Sequence, residues 1–344
     1  MDIIKYENKG LSGLSNLGNT CFINSCIQIL SHTYELNEFL NNESYKKKVK
    51  NNYDSALLIE WDNLRKILWN ENCIVSPGRF IKTIHKVAKR KNVEIFTGYL
   101  QNDVSEFLLF IIDCFHTSLS REIKITISGE PENDTDKLAI KCFEMIKNTY
   151  SKDYSEIWNL FYAVSVSEIT RVDNNKTISI NPEPFFMIDL PIPENNKSPS
   201  LIDCFNLYVE GEIIENYKCE ETNESINIKK RILFWSFPNI LTIDLKRFNA
   251  RFQKNQIYIN FPLDNLDLSE YVIGYKKEKY IYELYGVCNH SGGVMGGHYT
   301  AYVKNANNKW YHFNDTSVSE VGANESIISP KAYVLFYRKK HINS

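Results

Sequence analysis

Cys21 stands in the stretch Gly13-Leu14-Ser15-Asn16-Leu17-Gly18-Asn19-Thr20-Cys21-Phe22-Ile23-Asn24-Ser25, and its surroundings suit a nucleophilic thiol. A catalytic cysteine needs a lowered pKa, a base, a group that orients the base, and donors for an oxyanion. Phe22, Ile23, Cys26, Ile27, Ile29 and Leu30 fall at helical spacing, which predicts a helix starting at Cys21 with Asn19 or Thr20 as N-cap. At a helix start the unpaired N–H groups and the dipole favour a thiolate. Gly18 permits a tight turn ahead of the thiol, and the neighbouring amide side chains could donate to an oxyanion. A single cysteine is more often a buried structural residue, so the reading depends on its partners.

Seven histidines compete for the role of base. His298 stands out because Gly292-Gly293-Val294-Met295-Gly296-Gly297 precedes it, and such a backbone can lie close against an extended substrate. Tyr299-Thr300-Ala301-Tyr302-Val303 then reads as a strand that would hold the imidazole rigidly. Trp310-Tyr311-His312-Phe313 leads into Asn314-Asp315, and a hairpin could return either residue to the side of His298. A carboxamide or carboxylate there would orient the ring through its second nitrogen. His290 lies before the glycines and could contact substrate, whereas His312 reads as a strand-filling side chain.

The elements that must position these groups change character along the chain. Helical periodicity continues through 57–68, 80–88 and 102–114, with Asn102 or Asp103 near the cap of the last. The signal weakens between Arg121 and Tyr154, where residues 128–134 read as an exposed turn. Strand alternation then appears at 161–166, 177–180, 185–190 and 226–233, and apolar runs at 240–245, 282–287, 299–303 and 333–337. Residues 191–199 read as a loop. Helices first and strands later predict an α+β fold.

The 344 residues suffice for a sizeable core, and a net charge of −2 offers no footprint for nucleic acid or anionic membrane. The short basic clusters at 46–48 and 89–91 read as solvated helix faces. The amino terminus lacks the apolar core of a signal peptide, and no apolar run approaches the roughly 20 residues of a membrane span. The expected location is therefore intracellular and cytoplasmic, with nuclear or host-cell placement left open. Eight scattered cysteines without a Cys-x-x-Cys pair predict reduced thiols and no paired-spacing zinc site.

Taken together, these segments resemble the ubiquitin-specific proteases, a family of papain-like deubiquitinases. Residues 13–25 resemble the family's cysteine box, and Tyr285-Gly286-Val287 through Gly297-His298-Tyr299-Thr300-Ala301-Tyr302 its histidine box. Gln101-Asn102-Asp103-Val104-Ser105-Glu106-Phe107, Pro238-Asn239-Ile240-Leu241 with Leu245-Lys246-Arg247-Phe248, and Phe313-Asn314-Asp315 agree in family order. The resemblance implies Cys21 as nucleophile, His298 as general base and Asn314 as third triad member, with Asp315 an auxiliary polar partner. It implies that Asn16 and the Cys21 N–H hold the oxyanion. Asp103 would line the groove for ubiquitin's carboxyl-terminal tail, with His290, Gly297 and Tyr299 beside its terminal glycines.

The implied architecture is one catalytic domain over residues 10–340, without an accessory domain. A helical thumb would span about 10–125, β-stranded fingers would lie within 160–235, and a β-rich palm would occupy 236–340. The implied reaction is thiol-dependent hydrolysis of the isopeptide or peptide bond after ubiquitin's last glycine, by a monomer without cofactor. Its partners would be ubiquitin, polyubiquitin and ubiquitinated proteins, with no nucleic acid or membrane. An inactive ubiquitin-binding scaffold and a protease for a ubiquitin-like modifier are the alternatives. Many family members carry two zinc-binding Cys-x-x-Cys pairs. Here Val164 to Val172 has no cysteine and Cys219 is followed at the matching position by Thr222, so no structural zinc is expected. Residues 292–297 are expected to be a mobile gate in the absence of ubiquitin.

Overall fold

Helix-period patterning holds to Leu119, strand-period patterning takes over after about Leu160, and the helices of the first part face the large sheet of the second. The computed structural model describes residues 2–219, 223–293, 296–322 and 327–340. The helical part contains α1 (Cys21–Ser31), α2 (Tyr34–Asn41), α3 (Tyr53–Asn70), α4 (Gly78–Lys91) and α5 (Val104–Leu119). Two-residue strands β1 (Gly13–Leu14) and β2 (Ile74–Val75) pair in parallel and anchor the segment leading into α1. Every residue of α1 is buried, because it runs between α5 on one side and strands of the large sheet on the other. Each apolar side chain fully buried in this way contributes about 1.5–3 kcal/mol, so the helix carrying Cys21 is held firmly.

The remaining helices are α6 (Asp134–Asp153), α7 (Glu156–Phe161) and α8 (Leu201–Glu210). The strands are β3 (Ala163–Arg171), β4 (Thr177–Phe185), β5 (Met187–Leu190), β6 (Glu212–Lys218), β7 (Ser225–Phe234) and β8 (Ile240–Leu245). They continue with β9 (Leu266–Asp267), β10 (Ile281–Gly293), β11 (Gly296–Lys304), β12 (Trp310–Asn314), β13 (Ser317–Glu320) and β14 (Ala332–Lys339). An eight-stranded sheet has the order β13-β12-β11-β10-β14-β8-β5, with β9 on β10. A separate four-stranded sheet, β4-β3-β7-β6, is antiparallel throughout. Among the described residues no helix is long and apolar enough to cross a membrane.

Several local expectations change. The weak region contains α6, a twenty-residue helix capped by Asn133, whose Oδ1 accepts from Asp136 N at 2.9 Å. Its fully buried residues are only Ala139 and Cys142, which pack with Val164, Val166 and Trp235 of the small-sheet region. A stripe that narrow gives little periodic signal. Phe161 ends α7 rather than opening a strand, and β3 starts at Ala163. Helix α8 was legible but missed: Ser200 and Asp203 form a reciprocal capping box. The strands around the glycines are longer than expected. Gly292 pairs with Gly297 and Gly293 with Gly296, so these four close a hairpin. Val294 and Met295 of the expected gate lie outside the described residues.

Candidate active site

The segment from Ser15 to Thr20 is folded onto itself by the Asn16 side chain. Its Oδ1 accepts from Gly18 N at 3.1 Å and Thr20 N at 3.2 Å, and Leu17 N donates to Thr20 Oγ1 at 2.9 Å. Gly18 (φ 103°) and Asn19 (φ 54°) make the turn that releases the chain into α1. Thr20 is the N-cap, without a capping bond from its side chain. With its oxygen committed, Asn16 uses one amide hydrogen on Asp315 Oδ2 at 3.0 Å and retains the second for another acceptor.

Asp315 therefore organises the turn. Its Oδ1 accepts from Asn24 Nδ2 at 2.8 Å, and its backbone carbonyl accepts from Leu14 N at 2.8 Å. It adopts φ 50° in the two-residue turn between β12 and β13. Asn314, the residue before it, accepts on Oδ1 from His298 Nε2 at 2.7 Å. A neutral His298 ring so oriented carries its proton on Nε2 and leaves Nδ1 as the basic atom. One hairpin end thus presents Asn314 to the histidine and Asp315 to the segment that precedes Cys21.

Cys21 is buried, and its thiol pKa is raised, first by desolvation. Backbone hydrogen bonds from Tyr299, Phe22 and Cys21 itself pull it down, while the charge of Asp315 pushes it up. The donors at the helix start act in the expected direction, but burial outweighs them. The helix start favours the thiolate as expected, but does not by itself offset the burial. Among the described hydrogen bonds none joins Cys21 to His298. The Gln101 amide is the side-chain donor at Sγ, 3.8 Å away.

Alongside lies a cavity of about 380 Å³ lined in part by Gln101, Asp103, Glu106, His290, Tyr299 and Tyr333. Asp103 caps α5, accepting from Ser105 N at 2.7 Å, and its other oxygen accepts from Tyr333 Oη at 2.6 Å. This ties the thumb-side helix to β14. Behind Asp103, Asp244 of β8 faces Asp189 of β5 in register. Burial, then the charges of Asp103 and Asp189, raise the Asp244 carboxyl to about 8.

His290 packs against Tyr299 with ring centroids 4.6 Å apart, and its Nδ1 lies 3.2 Å from Lys254 Nζ. Burial and then Lys254 lower its pKa to about 4, so the ring stays neutral near neutral pH. A Cβ on Gly297 would meet the Ser291 carbonyl at 2.5 Å and press on the His290 ring, so any larger residue must shift the strand or the ring. His312 of β12 packs at a tilt on Tyr302, ring centroids 4.8 Å apart, and its pKa is lowered by burial first and then by the charges of Lys331 and His298.

The structure thus brings Asn16, Asn24 and Asp315 into one bonded cluster at the start of α1, within reach of Cys21 for the Asp315 charge, and joins His298 to Asn314 on the same turn. Asp103, His290 and Tyr299 line one cavity, and Gly297 packs against His290 at its side. Sequence reasoning missed Gln101, Asn24, Lys254 and Tyr333. Gln101 opens a recognised motif, but only the fold shows that it reaches β11. Cys219 is buried after β6, and Thr222 lies outside the described residues.

Comparison with known proteins agrees with this geometry. The family model described as ubiquitin carboxyl-terminal hydrolase matches residues 12–337. Ubiquitin carboxyl-terminal hydrolase 2 of Bos taurus is 34% identical over 346 residues, covering 96% of this chain and 55% of that protein. Ubiquitin carboxyl-terminal hydrolase 21 of Homo sapiens is 31% identical over 360 residues, covering 96% of this chain and 61% of that protein. The chain therefore spans little more than half the length of the curated relatives it matches.

Among solved structures, the SAGA DUB module Ubp8/Sgf11/Sus1/Sgf73 bound to ubiquitin aldehyde matches with TM-score 0.74 and 25% identity. That match covers 98% of this chain and 71% of the other. The same module bound to monoubiquitin matches equally well, with TM-score 0.74 and 25% identity over 98% of this chain and 71% of that one. The fold is the α+β papain-like hand of helical thumb, β-rich palm and β-stranded fingers, and this chain belongs to the ubiquitin carboxyl-terminal hydrolase family.

Proposed function

We propose that this chain is a thiol-dependent deubiquitinase, with Cys21 as nucleophile, His298 as base and Asn314 as the group that orients the base. The observation that carries the reading is the Asn314–His298 hydrogen bond on the same turn whose next residue, Asp315, holds Asn16 beside Cys21. The relatives' names support the carboxyl terminus of ubiquitin as the substrate. The helical layer acts as thumb, the eight-stranded sheet as palm and the four-stranded sheet as fingers.

The thiol rests protonated because burial raises its pKa. As the tail enters, the proton passes from Sγ to His298 Nδ1, while Asn314 keeps Nε2–H in place. The thiolate attacks the carbonyl carbon of ubiquitin's last glycine. The resulting oxyanion takes the Cys21 N–H and the unused amide hydrogen of Asn16. Collapse expels the lysine amine, which receives the proton from the imidazolium. Water then attacks the thioester with His298 again as base, releasing ubiquitin and the thiol. Asp103, His290, Gly297 and Tyr299 line the path of the tail, with no cofactor required.

The test is a ubiquitin carrying a carboxyl-terminal electrophile. The folded protein should form a covalent adduct at Cys21 that disappears in Cys21→Ala. Absence of an adduct with the folded wild type overturns the reading, and an adduct only with a ubiquitin-like modifier changes the substrate.

A further inference from the structure

Gln101 lies two residues before the cap of α5, and its side chain crosses from the thumb to the palm. Its Oε1 accepts from Gly297 N at 2.8 Å, and its Nε2 donates to the Gly297 carbonyl. The same Nε2 lies 3.8 Å from Cys21 Sγ, so one carboxamide touches both the nucleophile and the residue before His298. The sheet explains why Gly297 is available. Strand β10 covers one edge of β11 as far as Gly296, whereas β12 pairs with the other edge only from Ala301 onward. Gly297 thus has an edge that no strand among the described residues occupies. The Gln101 carboxamide, chemically a peptide group on a two-carbon stem, takes both of its hydrogen bonds as an added strand would.

We propose that Gln101 is a specificity-determining residue that closes the cleft over Cys21 until an extended substrate tail replaces it on the edge of Gly297. The proposal rests on Cys21 being the nucleophile. The incoming chain must be extended and must offer both N–H and C=O opposite Gly297, the requirement of strand addition to a sheet edge. A folded loop or a compact electrophile cannot make that exchange and meets the closed form. The substrate class is therefore a flexible segment able to lie extended along the edge of Gly297. Selection against other acyl compounds comes from what must be displaced as well as from what is bound.

The experiment measures alkylation of Cys21 by iodoacetamide across pH, with the modified cysteine identified by peptide mass spectrometry. The limiting rate at high pH removes any change in thiol ionisation. Gln101→Ala loses both hydrogen bonds to Gly297. Its limiting rate should rise about tenfold, the factor expected when two bonds of modest net strength no longer hold a closed state. Gln101→Asn, polar but one carbon shorter, should behave like the alanine variant and guards against an effect of lost polarity or folding. A limiting rate in either folded variant equal to or below wild type overturns the clasp and leaves the nucleophile reading intact. Absence of alkylation at Cys21 in all three proteins overturns both.

Discussion

Replacing Asp315 by Asn separates two effects that the geometry places in opposition. The carboxylate accepts one amide hydrogen from Asn16 at 3.0 Å and one from Asn24 at 2.8 Å. An asparagine offers one oxygen and one NH₂ in the same space, so one of the two contacts must become donor against donor. A hydrogen bond to a charged group contributes about 1.5–3 kcal/mol, and half-exposure at this turn brings the expected loss to the lower end. If Asn16 holds the oxyanion, its misplacement should cost part of the roughly 100–1,000-fold in kcat that removal of one oxyanion donor costs. About 10–100-fold is expected, measured as hydrolysis of a fluorogenic amide at the carboxyl terminus of ubiquitin. The same substitution removes a negative charge that raises the Cys21 pKa. The pH profile of iodoacetamide alkylation should therefore shift to lower pH while turnover falls. Wild-type turnover in Asp315→Asn, or an alkylation profile that stays or moves to higher pH, refutes the reasoning. A melting temperature within a few degrees of wild type shows that folding is not the cause.

Asn314→Ala should lower kcat at least about tenfold through loss of ring orientation, while Asn314→Asp, which keeps an acceptor for Nε2, should retain most activity in the same assay. Gly297→Ala should reduce turnover about 100-fold or more and destabilise by about 1–3 kcal/mol, because its Cβ must displace His290 or β11; denaturant titration alongside kinetics checks both. Asp244→Asn should stabilise the protein at pH 8 and not at pH 4. The raised folded pKa gives stability that is fully present below the unfolded value of about 3.9 and is lost as pH rises through about 8. The neutral isostere lacks that loss, so its gain over wild type should grow with pH; a gain independent of pH counts against a protonated Asp244.

The residues proposed as nucleophile, base and orienting group stand out in the sequence because each sits in a short local signal. Cys21 precedes a helical period, His298 follows glycines ahead of a strand, and Asn314 ends a strand one hairpin later. What the sequence could not display is side-chain traffic between distant segments. The bonds of Asp315 to Asn16 and Asn24, and of Gln101 to Gly297, depend on how two layers dock. Neither periodicity nor propensity reports that. The raised thiol pKa was hidden for the same reason: a helix start is a local property, whereas burial of Cys21 under β11 is a tertiary one. Helix α6 escaped because it packs on the small sheet through a thin stripe, whereas α8 carried its capping box in plain view at Ser200 and Asp203.

The reach of the Asp315 bonds has a consequence for biogenesis. Its partner Asn24 is 291 residues away in sequence, and Asn16 is 299. During synthesis at about 5–20 residues per second, the amino-terminal helices leave the ribosome many seconds before the hairpin that completes the site. Through that interval Cys21 lacks both His298 and an Asn16 held by Asp315. Closing a loop of this length late also places assembly of the site near the end of folding. A nascent or truncated chain should therefore be inert toward ubiquitin probes even with α1 already formed. On the proposed function, activity becomes a readout of finished folding, and a partly made chain would be unable to strip ubiquitin from the proteins around it.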